Sequence, residues 1–241
     1  MKISSIDSIL KFASFRNKYD LLSNNVARNI FEAIKLKISN RFSFKDSFYE
    51  KGDEEYTIDY LVKFVDKDDI KADIKAKFYY PDNKTEPYID IKIYIGLNFS
   101  EQDLERLYWQ LYESIRHEYE HFDKYSKGFW PDEEYNKTVA SLDSLNLQDI
   151  DKVNLISKYI LDPIEIDSYA KSTVYVAKKR KTPYGNVIDD ILDRSLFGNN
   201  ENTKKRMLEN QEICRIISDI KDKLVERVKK LFPAIVLKDT F

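Results

Sequence analysis

The spacing of hydrophobic positions changes along this 241-residue chain, and each change marks a different kind of element. Over residues 5–39 the apolar side chains recur at helical spacing, first as Ile6, Ile9, Leu10, Phe12 and Phe15, then as Val26, Ile30, Phe31, Ile34 and Ile38. The polar run Ser23-Asn24-Asn25 between the two sets predicts a break, so two helices are expected here. From Tyr56 the period falls to two. Tyr56, Ile58, Tyr60, Val62 and Phe64 alternate with mostly polar residues, as do the stretches Ile70 to Tyr80 and Ile89 to Leu97. Polar turns at Asp66 to Asp69 and at Pro81-Asp82-Asn83 separate them. Three consecutive strands with short connections predict an antiparallel meander with one buried face.

The helical period returns at Ser100, which has the character of an N-cap, with Glu101 and Asp103 placed where negative charge suits the helix dipole. This helix is expected to run from about Glu101 to Tyr125 and to bury Leu104, Leu107, Tyr108, Leu111, Ile115 and Phe122. Beyond it the pattern predicts helices over 132–145, 148–161, 164–180, 186–197 and 203–231, separated by Asp162-Pro163, Pro183-Tyr184-Gly185 and Gly198-Asn199-Asn200. The expected fold class is α+β, a small antiparallel sheet followed by a long helix and a mostly helical C-terminal half. Residues 1–50 read as a helical extension, 51–182 as the core, and 183–241 as helices packed on that core.

Composition narrows the function. Hydrophobic residues are 42% of the chain and aromatic residues 14%, enough for a sizeable core rich in rings. A net charge of -2 gives no case for a general nucleic-acid binder, so no nucleic-acid partner is expected, and the basic run Lys178 to Lys181 reads as a solvated, dipole-favoured helix end. The single cysteine, Cys214, precludes an internal disulfide and suits a reducing compartment. No apolar run reaches transmembrane length and no signal-peptide core is visible, so cytoplasmic synthesis without export and no membrane partner are expected.

The chemistry lies in the long helix. The chain has only two histidines, His117 and His121, and with Glu118 they form the motif His117-Glu118-Tyr119-Glu120-His121, an HExxH. Positions i and i+4 share a helix face, so both imidazoles can reach one zinc ion, with Glu118 beside the metal as the base for a bound water. The helical wheel places the pair on the flank of the buried stripe, on a cleft wall. A catalytic zinc takes three protein ligands and leaves one position open. No third histidine exists, so the remaining ligand is a carboxylate, or with less reason Cys214 or a tyrosine. Among the carboxylates, Asp123 follows His121 too closely, and Glu133 and Glu134 follow a turn and read as solvated. Glu165, in the first turn of a helix opened by Pro163, is the best candidate; its alternative role there is to favour the helix dipole.

A strand, then an HExxH helix, then a later helix bearing Glu resembles the gluzincin-type zincin metallopeptidases. The segment Pro163-Ile164-Glu165-Ile166-Asp167-Ser168-Tyr169-Ala170 is similar to the P-x-E-x-x-A-x-A element of small minimal zincins, including bacterial and phage-encoded ones, with Ser168 where that element often has Ala. The resemblance covers about residues 86–180. It implies zinc on His117, His121 and Glu165, Glu118 as general base, and the strand Tyr88 to Asn98 as a peptide-binding edge strand. Tyr169, one turn after Glu165, could donate to an oxyanion or orient Glu165 from behind. The expected function is zinc-dependent hydrolysis of a peptide or protein substrate. The alternative is a non-catalytic structural or binding protein, such as an assembly or virion component, that keeps a zincin-like fold.

Overall fold

The computed structural model describes residues 4–50, 56–67, 71–81, 86–142, 149–198 and 200–233. Its first element is one helix, α1 (Ser4–Lys37), not two. The expected break at Ser23-Asn24-Asn25 is absent, and the Ser23 and Asn24 side chains have partners that keep the helix continuous. Buried Ser23 donates to the Tyr19 carbonyl at 2.7 Å, and the Asn24 carboxamide oxygen accepts from the Tyr108 hydroxyl at 2.8 Å and from Lys179 at 3.1 Å. Lys179, read from sequence as part of a solvated basic end, therefore ties two helices together.

Four strands follow: β1 (Phe44–Glu50), β2 (Tyr56–Phe64), β3 (Ala72–Tyr79) and β4 (Tyr88–Ile95). β1 was not expected; its sequence Phe-Lys-Asp-Ser-Phe-Tyr-Glu is too polar to alternate, and it joins the sheet by antiparallel backbone pairing to β2. The spatial order is β1-β2-β4-β3, so the antiparallel meander expected from sequence is corrected to a mixed sheet. β4 pairs antiparallel with β3, Ile93 opposite Ile74, and parallel with β2, Ile93 opposite Val62. Alternation sets which face of a strand is buried but not which strand lies next to it. Ile89, Ile91, Ile93 and Ile95 are all fully buried, and the interior of the sheet is where an all-isoleucine face loses most contact with water. The turn residues Asp68, Asp69, Asp82 and Asn83 lie outside the described residues.

The edge-strand expectation changes with the topology. Tyr88 to Asn98 supplies an interior strand, and β3 takes the edge on the side of the HExxH helix.

That helix, α2 (Leu104–Ser126), follows a short 3₁₀ turn at Glu101–Asp103, where the Asp103 carboxylate accepts from the Ser100 backbone N–H at 3.0 Å and its hydroxyl at 2.9 Å. Then come α3 (Glu133–Leu142), α4 (Asp149–Ile160), α5 (Pro163–Arg180), α6 (Tyr184–Phe197), α7 (Glu201–Leu208) and α8 (Gln211–Leu231). The single helix expected over 203–231 is two, because the Asn210 side chain accepts from the N–H groups of Glu212 and Ile213 and so starts a new helix. α1 and α2 cover the inner face of the sheet in one core, and α4, α6, α7 and α8 share a second apolar cluster. Among the described residues no helix is long and apolar enough to cross a membrane.

α2 is not the half-exposed amphipathic helix its pattern predicts. Glu113, Arg116, Glu120 and Asp123 are buried along with its apolar stripe. Glu113 pairs with Arg194 of α6, and Glu120 sits between Arg116 at 2.5 Å and Lys171 of α5 at 2.6 Å. Periodicity registers polarity; it does not distinguish a solvated charge from one paired by another helix.

Candidate metal centre

Three buried side chains from two helices meet at one point. His117 and His121 are 5% and 4% exposed on α2, and Glu165 in the first turn of α5 is fully buried. Their proximity depends on where α5 begins. Asp162 caps it by accepting from the Ile164 N–H at 2.8 Å, and Pro163 occupies the first helical position, where its missing N–H costs nothing. Lys124 of α2 fastens this turn by donating to the Ile164 carbonyl and, at 3.1 Å, to the Ser168 hydroxyl.

The ligand atoms are spaced for a small cation. The two imidazole Nε2 atoms are 3.0 Å apart, His117 Nε2 is 3.0 Å from Glu165 Oε2, and His121 Nε2 is 3.4 Å from Glu165 Oε1. A tetrahedral ion with ligand bonds of about 2.0–2.1 Å separates its ligand atoms by roughly 3.3 Å, so these three separations fit three corners of such a site. The group could hold a metal ion. Burial alone would raise the pKa of Glu165, but His121 and the hydrogen bonds of both imidazoles outweigh it and hold the carboxyl well below its ordinary value. Glu165 is therefore an anion, as a cation ligand should be.

The other sequence candidates are placed elsewhere. Glu133 and Glu134 are exposed and pair with Lys137 at 2.6 Å and Lys158 at 2.9 Å. Asp123 pairs with Lys127 at 2.5 Å, and Cys214 is not in the group of metal-ligating atoms among the described residues.

Glu118 lies beside the triad and opens onto a cleft of about 430 Å³ between β3 and helices α3 and α4; His121, Tyr135 and Tyr159 also line it. Glu118 Oε2 accepts from the backbone N–H of Phe78 at 2.6 Å, which fixes the carboxylate against the edge strand. Burial pushes its pKa up to about 7, with His117 pulling it down, Glu165 pushing it up and the Phe78 N–H pulling it down. A dication on the neighbouring triad would lower it.

Four tyrosines surround the carboxylates. Burial and the charge of Glu165 raise the hydroxyl pKa of Tyr80, Tyr135, Tyr159 and Tyr169, so all four remain protonated donors. Tyr135 donates to Glu165 Oε1, leaving Oε2 toward His117. Tyr169 packs its ring on His117 at 4.3 Å between centroids, while its hydroxyl meets Ser195 and Tyr159. Tyr169 thus packs on His117, and the side chain hydrogen-bonded to Glu165 is Tyr135. Tyr135 had no signal in the sequence. It is one of 17 tyrosines and is brought to Glu165 only by the packing of α3.

Tyr135→Phe removes one hydrogen bond from the buried Glu165 carboxylate and keeps the ring. It should weaken metal binding about 10–100-fold, the usual cost of losing an outer hydrogen-bond partner of a ligand. Competition titration against a chelating dye measures this, and unchanged affinity would mean that the hydroxyl does not orient Glu165.

No family model matches the chain, and neither a curated protein nor a solved structure matches it.

Proposed function

We propose that this protein is a zinc-dependent peptidase. The observation that carries the proposal is the convergence of His117, His121 and Glu165 at tetrahedral spacing, with Glu118 beside them in a cleft bordered by an open strand edge. Two imidazoles and one carboxylate are a donor set suited to catalytic zinc. When bound, the ion supplies a Lewis acid and lowers the pKa of a coordinated water toward neutrality.

The chain's own residues would do the rest. Glu118 takes a proton from the attacking water and returns it to the departing amine. The peptide lies along β3 and pairs as an added strand with the outward N–H and C=O groups of Ala76, the Phe78 N–H being taken by Glu118. That strand also carries Phe78, the residue holding Glu118, so substrate and base are positioned from one backbone. Tyr135 keeps Glu165 oriented with its hydroxyl proton, and Tyr80 and Tyr159, whose hydroxyls stay protonated, line the cleft as donors for a developing oxyanion.

The alternative, a non-catalytic binding or structural protein that retains the centre for stability, is favoured by one feature. The Glu118 carboxylate already has a 2.6 Å partner in Phe78, so its position is explained without any reaction. The test begins with elemental analysis, which should find one zinc ion per chain, since one ligand group is present among the described residues. A broad peptide library should then be cleaved by the zinc-loaded protein and spared after chelation. Absence of metal, with no loss of stability on chelation, would overturn both readings of the centre. Metal without cleavage would favour the non-catalytic one.

A further inference from the structure

β3 carries a pattern of charge that the proposed chemistry does not use. The Phe78 N–H points away from β4 and into Glu118, so by strand alternation the N–H and C=O of Ala76 also face the open edge. The two residues flanking Ala76, Lys75 and Lys77, are exposed on the outer face of the sheet, while Ala76 faces inward. Both lysines line the cleft, and neither has a carboxylate partner among the described residues; Lys77 lies over the Tyr79 ring at 5.2 Å.

Their surroundings do not neutralise them. The register puts Lys75 directly opposite Lys92 of β4, and like charges so placed repel. Asp90 stands opposite Lys77, but its carboxylate is taken by Lys92 at 2.7 Å. Of the charged side chains lining the cleft, three are lysines and two are carboxylates; Asp90 is taken by Lys92, and Glu118 is held by the Phe78 N–H with Lys77 acting on it only at longer range, so neither Lys75 nor Lys77 is ion-paired among the described residues. On the inner side α3 lines the cleft with the apolar Val139 and Leu142 as well as with Tyr135 and Asn136.

We infer that the cleft selects an extended peptide with two acidic residues separated by one apolar residue. The acids lie beside Lys75 and Lys77, and the apolar side chain lies over Ala76 toward Val139 and Leu142. A strand added to β3 enforces this spacing, because its alternate side chains fall on opposite faces of the sheet. This inference rests on the cleft being the peptide site proposed above.

The test uses fluorescein-labelled nonapeptides with Glu-Leu-Glu, Gln-Leu-Gln or Lys-Leu-Lys at the centre. They are titrated by fluorescence polarisation into the zinc-loaded Glu118→Gln protein, which binds without turnover. The Glu peptide should bind about tenfold more tightly than the Gln peptide, as two cross-strand ion pairs would give. The Lys peptide should bind most weakly, and the differences should shrink in 1 M salt, where the screening length is about 3 Å. The double variant Lys75→Glu/Lys77→Glu changes only exposed side chains and should reverse the order. Equal binding of the three peptides, or no binding, overturns the inference. If the wild type cleaves all three equally well, the inference falls while the peptidase reading stands. If the Glu peptide binds selectively but is never cleaved, the inference stands and the peptidase reading falls.

Discussion

Glu118→Gln should leave zinc bound and the fold intact while peptide hydrolysis falls by roughly 10²–10⁴-fold, the usual contribution of a general base. The glutamine amide has the shape of the carboxylate, and its oxygen can still accept the Phe78 N–H that now meets Glu118 at 2.6 Å. What it lacks is basicity. Glu118 is the carboxylate that lines the cleft beside His121, whereas Glu165 is committed to both imidazoles and to Tyr135. No other acidic side chain among the described residues adjoins both the triad and the cleft. The comparison needs matched zinc content, measured on the same preparations used for the assay. Equal cleavage by the wild type and the variant would mean that the activity is a contaminant or that another group is the base.

The second large effect is expected at the metal. Glu165→Ala should abolish tight zinc binding, with a loss greater than the roughly 10–100-fold that follows removal of an outer-shell partner. The variant removes one of three ligand atoms and the only negative charge among them. Glu133→Ala and Glu134→Ala should leave affinity unchanged, because those side chains are exposed and paired with lysines. Zinc should raise the thermal midpoint of the wild type by binding only the folded state, and this gain should be missing in Glu165→Ala. The reverse ranking of the three variants would move the ligand to α3.

That His117, His121 and Glu165 could share one point was legible in the sequence because the signals are local. The i, i+4 spacing of His117 and His121 is a property of one helix, and Asp162-Pro163 announces the start of another with Glu165 in its first turn. The absence of a third histidine by itself narrows a third ligand to a carboxylate. Tyr135 was not legible. Nothing in its neighbourhood distinguishes it from the other tyrosines, and its hydroxyl reaches Glu165 across 30 positions of chain.

The same division runs through the fold. Alternating apolar residues determined by themselves where β2, β3 and β4 lie and which side chains they bury, since side-chain direction reverses at every residue of a strand. The helical stripe from Leu104 onward determined that α2 is a helix and that it carries the HExxH. Only the tertiary structure decided that β4 lies inside the sheet and β3 at its edge, because strand order depends on contacts between segments distant in the chain. Only it decided that the charged side of α2 is buried, since a paired charge and a solvated one have the same place in a sequence. The open edge at Glu118 follows from both decisions: β3 at the rim supplies the backbone, and the packed α2 holds the carboxylate against it.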